Sequence, residues 1–234
     1  MQKRILATAL AAALALPVVA QADDAALPIS ANLTLASEYA FRGVTQTDER
    51  PALQGGFDYK HSSGLYVGTW GSNISWIDNG KSSLEIDFYG GYAPTFGDFG
   101  LDVGVLRYQY PGSKHPKAHT TEGYVGVSWK FLSFKYSHAF TKLFGIEKSK
   151  GSDYLDLSAD YEIIKGLTLN AHFGKQYVDG PTDNYKDWKL GATYSYGGFD
   201  FGLHYVDTDI DKHNNFADED DADARVIFSI TKSF

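Results

Sequence analysis

From Ile29 the chain alternates. Ala31, Leu33, Leu35, Tyr39 and Phe41 fall on one parity, and Ser30, Asn32, Thr34, Glu38 and Arg42 on the other. That is the period of two by which successive side chains of a strand point to opposite faces. The same alternation sets Leu53, Phe57 and Tyr59 against Gln54, Asp58 and Lys60, and Leu84, Ile86 and Phe88 against Glu85, Asp87 and Tyr89. It returns over 101–105, 122–129, 132–140, 155–161, 167–173, 187–194, 199–205 and 225–231. The segment 65–76 also reads as a strand, but both of its faces carry apolar residues, so its register stays open. The reading gives about twelve strands spaced as in an all-β sandwich or barrel.

Connection lengths separate those two. The links 43–49, 61–64, 77–82, 96–98, 111–119, 130–131, 143–152, 163–166, 178–184, 197–198 and 208–221 tend to alternate longer with shorter. An antiparallel up-and-down barrel in an outer membrane has this layout, with short turns at one end and longer loops at the other. A Greek-key sandwich would scatter long crossovers irregularly. No strand reads as a blunted edge, and closure of the sheet removes edges altogether.

The composition of the two faces decides which points outward. A soluble barrel is apolar inside, whereas a membrane barrel is apolar outside and polar in its lumen. The apolar faces carry rings near strand ends, at Tyr39, Phe41, Tyr59, Trp129, Tyr161, Tyr194 and Tyr205, as interfacial girdles do. The opposite faces hold ten acids (Glu38, Asp58, Glu85, Asp87, Asp102, Glu122, Asp156, Asp160, Asp187 and Asp200) and six bases (Arg42, Lys60, Lys130, Lys135, Lys189 and Arg225). A soluble barrel could expose those charges to water, but it would then have to pack many of 15 Phe, 16 Tyr and 4 Trp into one small interior. The expected fold is therefore an all-β transmembrane barrel of about twelve strands.

Targeting agrees with that expectation. Lys3 and Arg4 precede an apolar stretch over 5–16, and Ala20-Gln21-Ala22 fits a small-x-small cleavage site. Residues 1–22 then form a cleaved leader and 23–234 the barrel, delivered to a Gram-negative outer membrane. With no Cys the chain has neither disulfides nor a lipid-anchor cysteine. The formal charge is −8, and −10 once Lys3 and Arg4 leave with the leader, which makes nucleic acid a poor partner.

Two resemblances follow from particular residues. Ser37-Glu38-Tyr39-Ala40-Phe41-Arg42-Gly43 with Gln46-Thr47, then Gly64-Leu65-Tyr66-Val67-Gly68 with Trp70 and Ser72-Asn73, is similar to the TorF-type porins of proteobacteria. So are Glu85 to Tyr92, Tyr108-Gln109-Tyr110-Pro111-Gly112 and Glu122-Gly123-Tyr124-Val125-Gly126. The resemblance implies a single outer-membrane barrel and a channel role, without naming a solute. Val226, Phe228, Ile230 and Phe234 resemble the C-terminal strand that the barrel-assembly machinery reads, though Lys232 departs from its pattern.

A lumen of intermediate strand number admits ions and small polar solutes. Ten acids against six bases give a mild cation preference where they line the narrowest part. The lumen-lining candidates are Glu38, Arg42, Asp58, Glu85, Asp87, Glu122, Lys135, Asp156, Asp187 and Arg225. Glu38, Arg42, Glu85, Asp87 and Glu122 are placed first at a constriction, with Lys135 as counter-charge; cross-strand pairing of these same charges would instead hold the wall together. The segment 207–223 is strongly acidic but lacks the Gly and bidentate Glu of a calcium loop. No cofactor or metal motif is present. A lipid-acting enzyme would need a nucleophile and base, and only His172 and His204 read as lumenal histidines in strands, neither with a Ser at paired spacing. The remaining alternative is a structural or recognition barrel with a plugged lumen.

Overall fold

The computed structural model describes residues 28–77, 82–113 and 118–234, so the expected leader over 1–22 lies outside the described residues. In chain order the strands are β1 (Ile29–Ala36), β2 (Ala40–Phe41), β3 (Val44–Thr45), β4 (Ala52–Lys60), β5 (Leu65–Ile77), β6 (Ser82–Tyr92), β7 (Thr95–Phe96) and β8 (Phe99–Gln109). There follow β9 (Thr120–Trp129), β10 (Leu132–Ala139), β11 (Asp153–Ile164), β12 (Leu167–Tyr177), β13 (Tyr185–Tyr196) and β14 (Phe199–Thr208). A four-residue helix, α1 (Glu219–Ala222), precedes β15 (Arg225–Ser233).

Twelve of these strands form one antiparallel ring. Each pairs with its neighbours in sequence, with β6 joined directly to β8, and β1 pairs with both β4 and β15 to close the sheet. Strand β7 is a two-residue extension at the β8 turn, and β2–β3 is a separate hairpin inside the link from β1 to β4. The end that holds Ile29 and Phe234 has the short turns, including Gly197-Gly198, whose positive φ angles of 62° and 77° suit a two-residue hairpin. The longer links gather at the other end.

The barrel is inside-out relative to a soluble protein. Leu33, Phe57 and Leu157 are 50, 63 and 53% exposed, whereas Glu85, Glu122 and Asp187 are 1, 2 and 2% exposed. Apolar side chains thus face outward and carboxylates inward, as a transmembrane barrel requires. Rings at Tyr59, Tyr92, Phe99, Trp129, Tyr161 and Tyr194 girdle the short-turn end. Toward the far end the outward parity turns polar, at Arg107 on β8, His138 on β10, Lys175 on β12 and Lys186 on β13.

Two details differ from the alternation. Tyr39 and Phe41, expected in an outward girdle, lie inside the barrel; Tyr39 is only 5% exposed. Strand β1 ends at Ala36, and the bend at Ser37 takes the chain out of the wall, so the later apolar parity belongs to a loop. In β5, Leu65 and Val67 face outward while Tyr66, Trp70 and Ile74 face inward, and a register shift between Asn73 and Ile77 ends the alternation. Both faces of β5 are apolar because the inner one packs against that loop.

Candidate functional site: the barrel lumen

Residues 37–51 fold into the lumen as a small hairpin. Ala40 pairs with Thr45 and Phe41 with Val44, leaving Arg42-Gly43 as the two-residue tip. Both tip residues have positive φ, 48° and 83°, as a type I′ turn demands. Glycine is required at 43 for a second reason, since a Cβ there would collide with Thr208 and with Asp187 Cβ. Arg42, unlike Gly43, bears a side chain in that left-handed region, and its contacts hold it there.

Those contacts cross the lumen. Arg42 Nη2 donates to Glu122 Oε2 on β9 at 2.7 Å, and Nη1 donates to Gln176 Oε1 on β12 at 2.7 Å. The guanidinium carbon lies 4.1 Å from the Tyr154 ring centroid and 4.8 Å from that of Phe41, within cation–π range. At the root of the loop, Glu38 accepts from Arg225 Nη1 at 2.5 Å, and the Tyr39 hydroxyl donates to Glu85 Oε1 at 3.1 Å. Tyr39 meets Trp70 edge-on, and Phe41 meets Tyr108 and Phe144 the same way. An aromatic cluster therefore occupies the far half of the lumen.

The other charged candidates are held along the wall. Asp58 accepts from the Tyr89 hydroxyl at 2.6 Å, and Asp102 from the Tyr66 hydroxyl at 2.7 Å, with Tyr66 in turn bonded to Tyr124. Lys135 Nζ sits 4.3 Å over the Tyr124 ring. Asp87 is buried, and its Oδ1 has no hydrogen-bond partner among the described residues. Of the six bases assigned to the inner face, Lys130 instead sits in the short turn after β9, over the Trp129 ring.

At the mouth, the link from β14 to β15 folds back over the hairpin. Phe216 and Ala217 pack with Tyr185, Ile210 and Ala222 against Val44, and the Thr208 hydroxyl donates to Ala222 O at 3.0 Å. Asp48, Glu49, Asp220, Asp221 and Asp223 then line a cavity of about 350 Å³ at the mouth. Partial burial, with Asp218 and Asp48 close by, raises the Asp221 carboxyl above its ordinary range. Among the described residues no group of three or more His, Asp or Glu side chains could hold a metal ion.

A family model described as "Bacterial protein of unknown function (Gcw_chp)" matches residues 20–234. The chain belongs to that family. No curated protein matches the Gcw_chp chain in sequence. In structure it is similar to a KdgM porin solved in complex with disordered oligogalacturonate, at 11% identity and a TM-score of 0.57, covering 88% of this chain and 98% of the other. It is also similar to the NanC porin, at 12% identity and a TM-score of 0.54, covering 87% and 97%. The Gcw_chp chain is thus a porin-like twelve-strand barrel.

One grouping in the Gcw_chp barrel escapes a reading along the sequence. His172 lies opposite Ser158 in register, with its Nδ1 3.1 Å from Asp156 Oδ1 and 3.3 Å from Ser158 Oγ, and its Nε2 2.8 Å from Asp187 Oδ1. The Tyr154 hydroxyl also donates to Asp187 at 2.9 Å. Ser158, His172 and two carboxylates meet here, yet the arrangement does not make a nucleophile. Each ring nitrogen lies against a carboxylate, and Ser158 shares its nitrogen with Asp156, so no free base faces Ser158 Oγ. The alternation places all of these residues on the inner face, but only the register between β11, β12 and β13 brings them together.

Proposed function

We propose that this chain is a narrow outer-membrane channel for passive diffusion of ions and small polar solutes, with a mild cation preference set by its lumenal acids. It is exported by the leader, embedded in outer-membrane lipid and assembled through the C-terminal strand ending at Phe234. The observation that carries the reading is the closed ring with an apolar exterior and buried carboxylates at Glu85, Asp87 and Glu122. The TorF-type resemblance and the porin-like fold support it. The hairpin 37–51 narrows the lumen from the loop end. No lipid-acting catalytic role is assigned, because the histidine richest in partners offers no free base.

The second reading, a structural or recognition barrel with a blocked lumen, is favoured by one observation. Phe41, Tyr108 and Phe144 pack edge-on against one another beside Arg42, which reaches across to Glu122 and Gln176. Single-channel recording of refolded protein in planar bilayers under a KCl gradient separates the two. Stable steps with a cation-biased reversal potential, reduced by Glu85→Gln with Asp87→Asn, support the channel. Folded, inserted protein without conductance establishes the plugged barrel.

A further inference from the structure

Below the hairpin the lumen holds a cavity of about 280 Å³, roofed by residues 38–43 and walled by β1, β4, β5 and β11 to β15. At ~30 Å³ per liquid water, that is room for about nine waters, the scale of a single metabolite. Its charged groups are mostly spoken for. Glu38 is paired with Arg225, Arg42 with Glu122, and Asp187 with His172. Lys189 differs. It projects from β13 into the cavity between His172 and Val206 of the adjacent strands, and it has no ion pair or hydrogen bond among the described residues. The nearby acids Asp156 and Asp187 are already engaged by Ser158, His172 and Tyr154.

Beside this ammonium stand the paired His172 and Asp187, with His204 on β14, whereas the cavity wall on β15, β1 and β4 is neutral and rich in hydrogen-bonding groups. Asn32 and Thr34 come from β1, Gln54 from β4, and Ser229 and Thr231 from β15. Thr34 and Thr231 bond each other at 2.8 Å, while Asn32 and Ser229 have no side-chain hydrogen bond among the described residues. Amides and hydroxyls both donate and accept, which matches hydroxyl groups on a solute. Lys189 supplies one strong, charge-assisted contact for an anionic group.

We propose that this cavity is a subsite for a small hydroxylated organic anion, with Lys189 binding the carboxylate and Asn32 and Ser229 the hydroxyls. The assignment deepens the channel reading by naming a solute class, and it gives one wall an anion site within a lumen whose total charge favours cations. Passage and binding therefore separate experimentally.

The test uses sodium gluconate as probe and sorbitol as its uncharged counterpart, on refolded wild type, Lys189→Gln and Lys189→Arg. Calorimetry in detergent reads binding, and current through planar bilayers reads block. Gluconate binds and interrupts the current in wild type, about tenfold more weakly in Lys189→Gln, with Lys189→Arg restoring most of the effect and sorbitol inert. Equal binding in wild type and Lys189→Gln, or equal action of sorbitol, overturns the subsite. Lys189-dependent binding by a folded protein without current keeps the subsite and removes the channel. Current with neither binding nor block removes the subsite alone, and the absence of current and of binding removes both.

Discussion

Arg42 and Glu122 meet at 2.7 Å although one belongs to the hairpin after β1 and the other to β9 on the facing wall, and both side chains are more than nine-tenths buried. The pair fixes how far the hairpin reaches into the lumen. Breaking a buried pair leaves one charge uncompensated, at a cost of about 3–5 kcal/mol. Arg42→Ala should therefore lower the temperature at which the folded barrel unfolds in detergent. It should also raise single-channel conductance, because the tip loses its hold on Glu122 and Gln176 together. An unchanged conductance in a destabilised variant would show that the hairpin stays in place without its arginine.

The outward face makes an opposite demand. Leu157 lies between Phe134 and Phe173 on neighbouring strands and is half exposed. On a soluble protein an arginine there would be harmless. In a bilayer, Leu157→Arg should cost about 2–4 kcal/mol, measured by urea unfolding of the barrel in lipid vesicles. A cost within about 0.5 kcal/mol of zero would contradict membrane embedding at that level.

Gly174 marks a place where the wall is thinned for a ring. A Cβ at this position would collide with the Tyr154 hydroxyl and Asp187 Oδ2, both part of the His172 grouping. Gly174→Ala should destabilise by about 1–3 kcal/mol through forced movement of Tyr154. Adding Tyr154→Phe, which removes the colliding hydroxyl, should recover part of that loss. Failure of the double variant to recover any stability would place the strain elsewhere.

The acidic mouth gives a pH dependence. Because the folded structure raises the Asp221 carboxyl, its ionisation opposes the packing of the link over the hairpin. The sign follows from linkage: the cost is absent below the ordinary carboxylate range and grows as pH rises through it. Amide exchange over 209–224, corrected for intrinsic rate, should be slower at pH 4 than at pH 7. Asp221→Asn should reduce that difference, and an unaltered difference would assign it to the neighbouring acids.

Strand positions were legible because each turn of the ring repeats one local rule, apolar out and polar in, and a rule of period two needs no knowledge of partners. Tyr39 and Phe41 were misread because they continue the parity of β1 beyond its end at Ala36. Nothing local at Ser37 states that the chain leaves the wall; the inward course depends on Glu122, Gln176 and Arg225, 80 or more residues away. One trace of it was present in the sequence. The doubly apolar stretch 65–76 broke the rule, and Trp70 and Ile74 are where the hairpin's apolar side found a floor. The inward charges followed from parity, while their partners followed from register, which the alternation does not specify.

Closure of the ring also orders events in time. The last contacts join residues almost the whole chain apart, with Thr34 bonded to Thr231 and Ala31 to Phe234. Such distant pairings carry the largest loop-closure cost and tend to come late in folding. Before β1 and β15 meet, the sheet is an open trough, and the hairpin can be laid into it from the side. After they meet, Arg42 can reach Glu122 only by threading through the mouth. A hairpin seated before closure is enclosed with its contacts already made, and one that misses its seat leaves a barrel with a different bore.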